Sequence, residues 1–95
     1  MQIESIRHKA LRRFAETGSP RGLPAGSVDR LRNMLAYLAA IDTAEELRAP
    51  PNFGAHTLTG DRKGEWALTV TKNWRMTFRI NAAGAIEDMD LEDYH

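Results

Sequence analysis

Residues 65–80 read EWALTVTKNWRMTFRI. In the first run, Trp66, Leu68 and Val70 fall on one side and Ala67 and Thr69 on the other. In the second, Trp74, Met76, Phe78 and Ile80 alternate with Arg75, Thr77 and Arg79. A period of two marks a strand with one buried face. The polar break Thr71-Lys72-Asn73 leaves room only for a tight turn, so the two runs predict an antiparallel hairpin.

The rest of the fold follows outward from this hairpin. Asn81-Ala82-Ala83-Gly84 reads as the next turn. Beyond it, AIEDMDL (85–91) alternates Met89 and Leu91 with Asp88 and Asp90, a third strand. If that turn pairs Ile80 with Ala85, Arg75 stands opposite Asp90. Upstream, the period of two begins near Ala55, which adds a strand before the hairpin. Residues 7–18 predict a helix with Ala10, Leu11, Phe14 and Ala15 at helical spacing and Gly18 as its stop. A loop, SPRGLPAG, follows. A second helix starts between Pro24 and Ser27 and carries the stripe Val28, Leu31, Met34, Leu35, Leu38 and Ile41. TAEEL (43–47) has the pattern of a capping box, giving a short helical turn that Pro50-Pro51 ends. MQIES at the start suits a short first strand. The expected architecture is α+β in the order β-α-α-β-β-β-β: a small antiparallel meander with two N-terminal helices packed on one face. At 95 residues this is one domain, 1–95, with one modest core that Trp66 and Trp74 are large enough to dominate.

Composition excludes several classes. There is no cysteine, so no disulfide framework and no thiolate nucleophile. No apolar run approaches the ~20 residues of a membrane span. The first residues lack the apolar stretch of a signal peptide, and a cytoplasmic location is expected. Formal charge is balanced at 13 basic against 13 acidic residues, which argues against bulk electrostatic capture of nucleic acid. The charges are polarised, however. Residues 60–80 hold five basic and two acidic groups, and residues 81–95 hold five acidic groups and no basic one. The outward face of the sheet is therefore expected to be basic along Arg75 and Arg79 and acidic along the last strand.

Three histidines could titrate near neutral pH: His8, His56 and His95. His8 lies in a basic helix start and reads as a solvated side chain. His56 precedes Gly60-Asp61-Arg62-Lys63-Gly64, where two glycines bracket two cations suited to phosphate. Arg75 sits on a strand, which preorganises it better than a loop would. Its plainer role is an ion pair with Asp90, and the two roles are compatible. Asp93-Tyr94-His95 sets an imidazole beside a carboxylate, and nearby negative charge favours imidazolium. No spacing of these groups matches a zinc or calcium pattern, so no metal and no cofactor is expected.

Taken together and in order, SIRHKALRRFAETG, RLRNMLAYLAA, LRAPP, the GDRKG loop followed by Trp66, NWRMTF and the final DYH resemble HigB-type toxins of the RelE/ParE superfamily, the plasmid maintenance system killer family. The resemblance covers nearly the whole chain. It implies a RelE-like fold and a type II toxin that cleaves mRNA in the ribosomal A site as a metal-independent endoribonuclease. The ribose 2′-hydroxyl attacks the adjacent phosphate in that chemistry. Carried over by position, His56, Arg75, Asp93, Tyr94 and His95 match the family's catalytic residues. Arg62, Lys63 and Arg79 are the candidate phosphate contacts. The family usually has a lysine where this chain has Thr59, and Lys63 or Arg62 is the replacement offered by the same loop. The implied partners are a cognate helix-turn-helix antitoxin of the HigA type, operator DNA through that antitoxin, and the ribosome with its mRNA. The alternatives are a gyrase-directed ParE-like toxin, or a degenerate toxin that only binds antitoxin and operator.

Overall fold

The computed structural model describes residues 1–93. Two helices, α1 (Lys9–Thr17) and α2 (Val28–Ala40), precede four strands: β1 (His56–Thr57), β2 (Glu65–Thr69), β3 (Trp74–Ile80) and β4 (Ile86–Asp93). The sheet is an antiparallel meander in the order β1-β2-β3-β4. Helix α1 ends at Gly18, whose left-handed backbone (φ 79°) lets its N–H return to the Phe14 carbonyl at 2.9 Å. His8 is more than a solvated side chain, because its Nδ1 accepts from the Leu11 N–H at 3.1 Å and caps α1. The Glu46 carboxylate accepts from the N–H groups of Asp42 and Thr43, both at 2.9 Å, and so fixes the 3₁₀ turn Ala44–Arg48.

The helices cover one face of the sheet, as the apolar stripes require. Leu11, Phe14, Leu31, Met34 and Leu38 pack with Leu68, Met76, Phe78, Ile86, Met89 and Leu91. Phe78 is the largest fully buried side chain. The two tryptophans do not dominate this core. Trp66 and Trp74 are only partly buried against its rim, and the Arg48 guanidinium lies 4.9 Å from the Trp66 ring centroid. A second link joins helix to sheet: Arg30 on α2 donates to the Thr69 carbonyl at 2.9 Å and to that of Asn52 at 2.6 Å.

Two expectations change. Residues 1–5 form no regular strand. The chain instead touches β4 through two isolated parallel bridges, Ile3 with Ile86 and Ile6 with Met89. The register of β3 with β4 also differs. The turn closes between Asn81 and Ala85, whose N–H is accepted by the Asn81 side chain at 3.1 Å, and Ile80 pairs with Ile86. The register then shifts between Thr77 and Arg79, opposite Asp88, which adopts a left-handed backbone with φ 56°. Aspartate tolerates that conformation better than most residues. Here its N–H donates to Ser5 Oγ at 2.8 Å. The later closure of the turn and this bulge each move the register by one residue, and together they put Glu92, not Asp90, opposite Arg75, and Asp90 opposite Thr77.

Candidate active site

The sheet face away from the helices carries the polar residues. Directly paired strand residues point to the same side. One row across this face is therefore His56, Ala67, Thr77 and Asp90, and the next is Thr69, Arg75 and Glu92. A third row holds Glu65, Arg79 and Glu87. Ordinary strand spacing places the His56 and Arg75 backbones about 12 Å apart. Their side chains can thus approach one bound nucleotide from two sides. Thr77 is buried (1% exposed) although it belongs to the polar face. An ion-pair cluster lies over it.

Glu92 is the centre of that cluster. Its Oε1 accepts from Arg75 Nη2 at 3.1 Å and Nε at 3.3 Å, and from Arg62 Nη1 at 2.8 Å. Its Oε2 accepts from Arg62 Nη2 and, at 2.8 Å, from the Thr77 hydroxyl. Arg62 also grips Glu65 with two hydrogen bonds of 3.0 Å. Arg79 reaches Glu65 at 3.7 Å and donates to the Lys63 carbonyl at 3.4 Å. The result is a chain of alternating charge, Arg79–Glu65–Arg62–Glu92–Arg75. It ties the 3₁₀ turn Gly60–Arg62 to three strands. Gly64 lies against the Arg79 end of this chain of charges. Its φ is 96°, and an added Cβ would stand 3.2 Å from Arg79 Nη1.

These contacts set the electrostatics. Hydrogen bonds from Arg62, with Thr77 and Arg75 adding to them, hold the Glu92 carboxyl down at about 2 against the opposing effect of its burial. Arg62, between Glu92 and Glu65, is held more firmly charged than an ordinary guanidinium. It likewise draws Glu65 below the usual carboxylate range. Because the Glu92 value is depressed, its stabilising effect is complete above the ordinary 4.5 and drains away as pH falls from there towards 2. The contribution is on the order of 2–3 kcal/mol. Thermal melting between pH 6 and pH 3 should therefore show a steeper loss of stability for the wild type than for Glu92→Gln. Parallel curves would remove this role.

The candidate residues divide accordingly. His56 is exposed on β1, and its Nδ1 donates to the Gly54 carbonyl at 3.0 Å. A carbonyl only accepts, so the ring nitrogen left to accept a proton is Nε2. Arg75 shares the polar face with His56 and is 23% exposed. Arg62 spends its donors on Glu65 and Glu92. Lys63 is exposed, and its ammonium makes no salt bridge among the described residues, so it is the loop cation better placed to meet a phosphate. Thr59 immediately precedes this turn. Asp93 pairs with Trp74, one step out of phase with the Arg75–Glu92 row. Tyr94 and His95 lie outside the described residues. Sequence reading missed Glu92, because the turn pairs Ile80 one residue later than expected and the bulge at Asp88, of which alternation gives no sign, adds a second step.

The structure resembles the YoeB/ParE toxin from Agrobacterium tumefaciens over the whole of both chains, with a TM-score of 0.59 at 14% identity. It resembles YafQ from E. coli strain BL21(DE3) over 93% of this chain and 91% of that one, with a TM-score of 0.58 at 15% identity. Identities this low speak for the fold alone. The sequence goes further. It is 43% identical over 96 residues to the Endoribonuclease HigB of Proteus vulgaris, covering 98% of this chain and 99% of the relative. Residues 4–95 match the family of RelE-like toxins of the type II toxin-antitoxin system HigB, and the chain belongs to that family. Membership in a toxin–antitoxin family makes an antitoxin its partner class. Among the described residues, no helix is long and apolar enough to cross a membrane.

Proposed function

We propose that this chain is the toxin of a type II pair and a ribosome-dependent endoribonuclease that inhibits translation by cutting mRNA in the A site, in a single domain spanning 1–95. The observation that carries this reading is near-complete alignment, at 43% identity, with a relative named for endoribonuclease activity. The chemistry needs positioning, a proton acceptor for the 2′-hydroxyl, a donor for the departing 5′-oxygen, and a cation for the charge that develops on phosphate. The 2′-oxygen bonds to phosphorus, the P–O5′ bond breaks, and a cyclic phosphate and a free 5′-hydroxyl remain. His56 and His95 are the two proton-transfer groups. Arg75 is the cation, aided by Lys63 and Arg79, with Arg62 bracing the loop. Asp93 orients His95, and Tyr94 stacks on a base. The chain acts in the cytoplasm, where it meets a helix-turn-helix antitoxin of the HigA type and, through it, operator DNA.

Dependence on the ribosome follows from the site's form. Of the described residues, His56 and Arg75 stand on the outer face of the sheet, so the ribosome must hold the substrate in line. Such alignment supplies a large share of catalysis. Mapping mRNA ends after adding the chain to translating ribosomes tests this. Cuts should appear within translated codons, and naked RNA should be cut far more slowly. Thr59 in the family's lysine position favours the second reading, a ParE-like gyrase toxin or a toxin reduced to binding antitoxin and operator. Growth arrest with intact mRNA would select the first of these, and no arrest the second.

A further inference from the structure

The ion-pair cluster over Thr77 contains a carboxylate that the reaction above does not use. Glu92 is 22% exposed and accepts from three side chains on two segments, Arg62 in the 3₁₀ turn and Arg75 and Thr77 on β3. Two of those donors are guanidiniums, which repel each other unless a negative charge stands between them. Arg62 meets both Glu92 oxygens, and Thr77 fixes Oε2. Glu92 is thus held from two directions before Arg75 is considered. Arg75 then lays its Nε–Nη2 edge on Oε1. An arginine gripped along one edge has its guanidinium plane fixed, whereas one held by a single bond swings.

We propose that Glu92 is a positioning residue: anchored by Arg62 and Thr77, it grips Arg75 along one edge and aims that guanidinium at the RNA phosphate. The role rests on the ribonuclease reading and adds to it a residue that touches neither substrate nor reacting atoms. It also explains why Arg62 sits in the loop facing the site while its donors are taken by carboxylates. Arg62 holds the holder.

The test compares single-turnover cleavage on translating ribosomes for wild type, Glu92→Gln, Thr77→Val, Arg75→Ala and the doubles with Arg75→Ala. Glutamine presents an amide that cannot receive two guanidiniums, so kcat should fall about 10–100-fold with KM changed less than about threefold. Thr77→Val is near-isosteric and loosens Glu92 more gently. It should lower kcat by about 3–10-fold, and it guards against a glutamine variant that fails to fold. Neither change should add to the loss in Arg75→Ala, because both act through that side chain. Nitrogen-15 NMR of the Arg75 Nε–H gives a readout independent of activity. The signal should be protected from exchange in the wild type and lose protection in Glu92→Gln. Full rate in both variants, a faster enzyme, losses that multiply with Arg75→Ala, or an unchanged Nε–H signal would each overturn the role. If the wild type itself leaves mRNA intact, the ribonuclease reading fails, and the NMR comparison separately reports whether Glu92 holds Arg75.

Discussion

Replacing Arg75 with alanine is expected to lower mRNA cleavage on the ribosome by about 10²–10³-fold, the usual cost of removing one charge-stabilising donor. The fold should survive. Arg75 points away from the helices, and Glu92 keeps Arg62 and Thr77 as donors when it is gone. A partly exposed ion pair contributes about 1 kcal/mol or less, so the melting temperature should move by only a few degrees. Arg75→Lys should recover little activity, because an ammonium cannot lay two donors on Glu92 and still face a phosphate in a fixed plane. Cleavage at the wild-type rate in Arg75→Ala would take the residue out of the chemistry. Loss of the cooperative melt would make its role structural.

The second large effect is expected at His95. Glutamine there keeps hydrogen-bonding capacity but cannot titrate. If His95 exchanges a proton with the 2′- or 5′-oxygen, His95→Gln should slow cleavage by about 10²–10⁴-fold. One limb of the wild-type pH–rate profile should vanish with it. The same substitution at His56 should remove the opposite limb, which would show which imidazole gives and which takes. A His95→Gln profile that keeps both limbs at a near-normal rate would place the proton transfer elsewhere.

Much of the fold was legible because each element carries its own local signal. Gly18 ends a helix where a left-handed residue is needed, Glu46 turns back on its own backbone, and the residues of β3 alternate without interruption. These features depend on neighbours a few positions away. What escaped depends on relations across the sheet. Nothing in the string Glu87-Asp88-Met89 announces that Asp88 will take a positive φ, since its N–H is met there by the hydroxyl of Ser5, 83 residues away. Without the bulge, the Ile80–Ile86 register would set Leu91 opposite Arg75; the Asp90 pairing needs both a tighter turn and an unbroken strand. The rim positions of Trp66 and Trp74 were hidden for a similar reason, because side-chain size says nothing about what packs over a ring. The catalytic candidates were legible by resemblance, but Glu92 emerged only from the geometry.

The bulge at Asp88 gives β4 two independent phases. Before it, Ile86 keeps step with Ile80 and the core; after it, Leu91 keeps step with Met76 while Glu92 keeps step with Arg75. The strand therefore behaves like a sentence with a comma in it. A residue gained or lost within the 81–85 turn can be absorbed locally, where the chain is already irregular. One gained or lost between Asp88 and Glu92 turns every later side chain over, sending a carboxylate towards the helices and an apolar side chain towards the RNA. The span that natural variants of this toxin can least afford to lengthen is thus three residues of ordinary appearance, Met89, Asp90 and Leu91, and the tolerance for change lies just upstream of them.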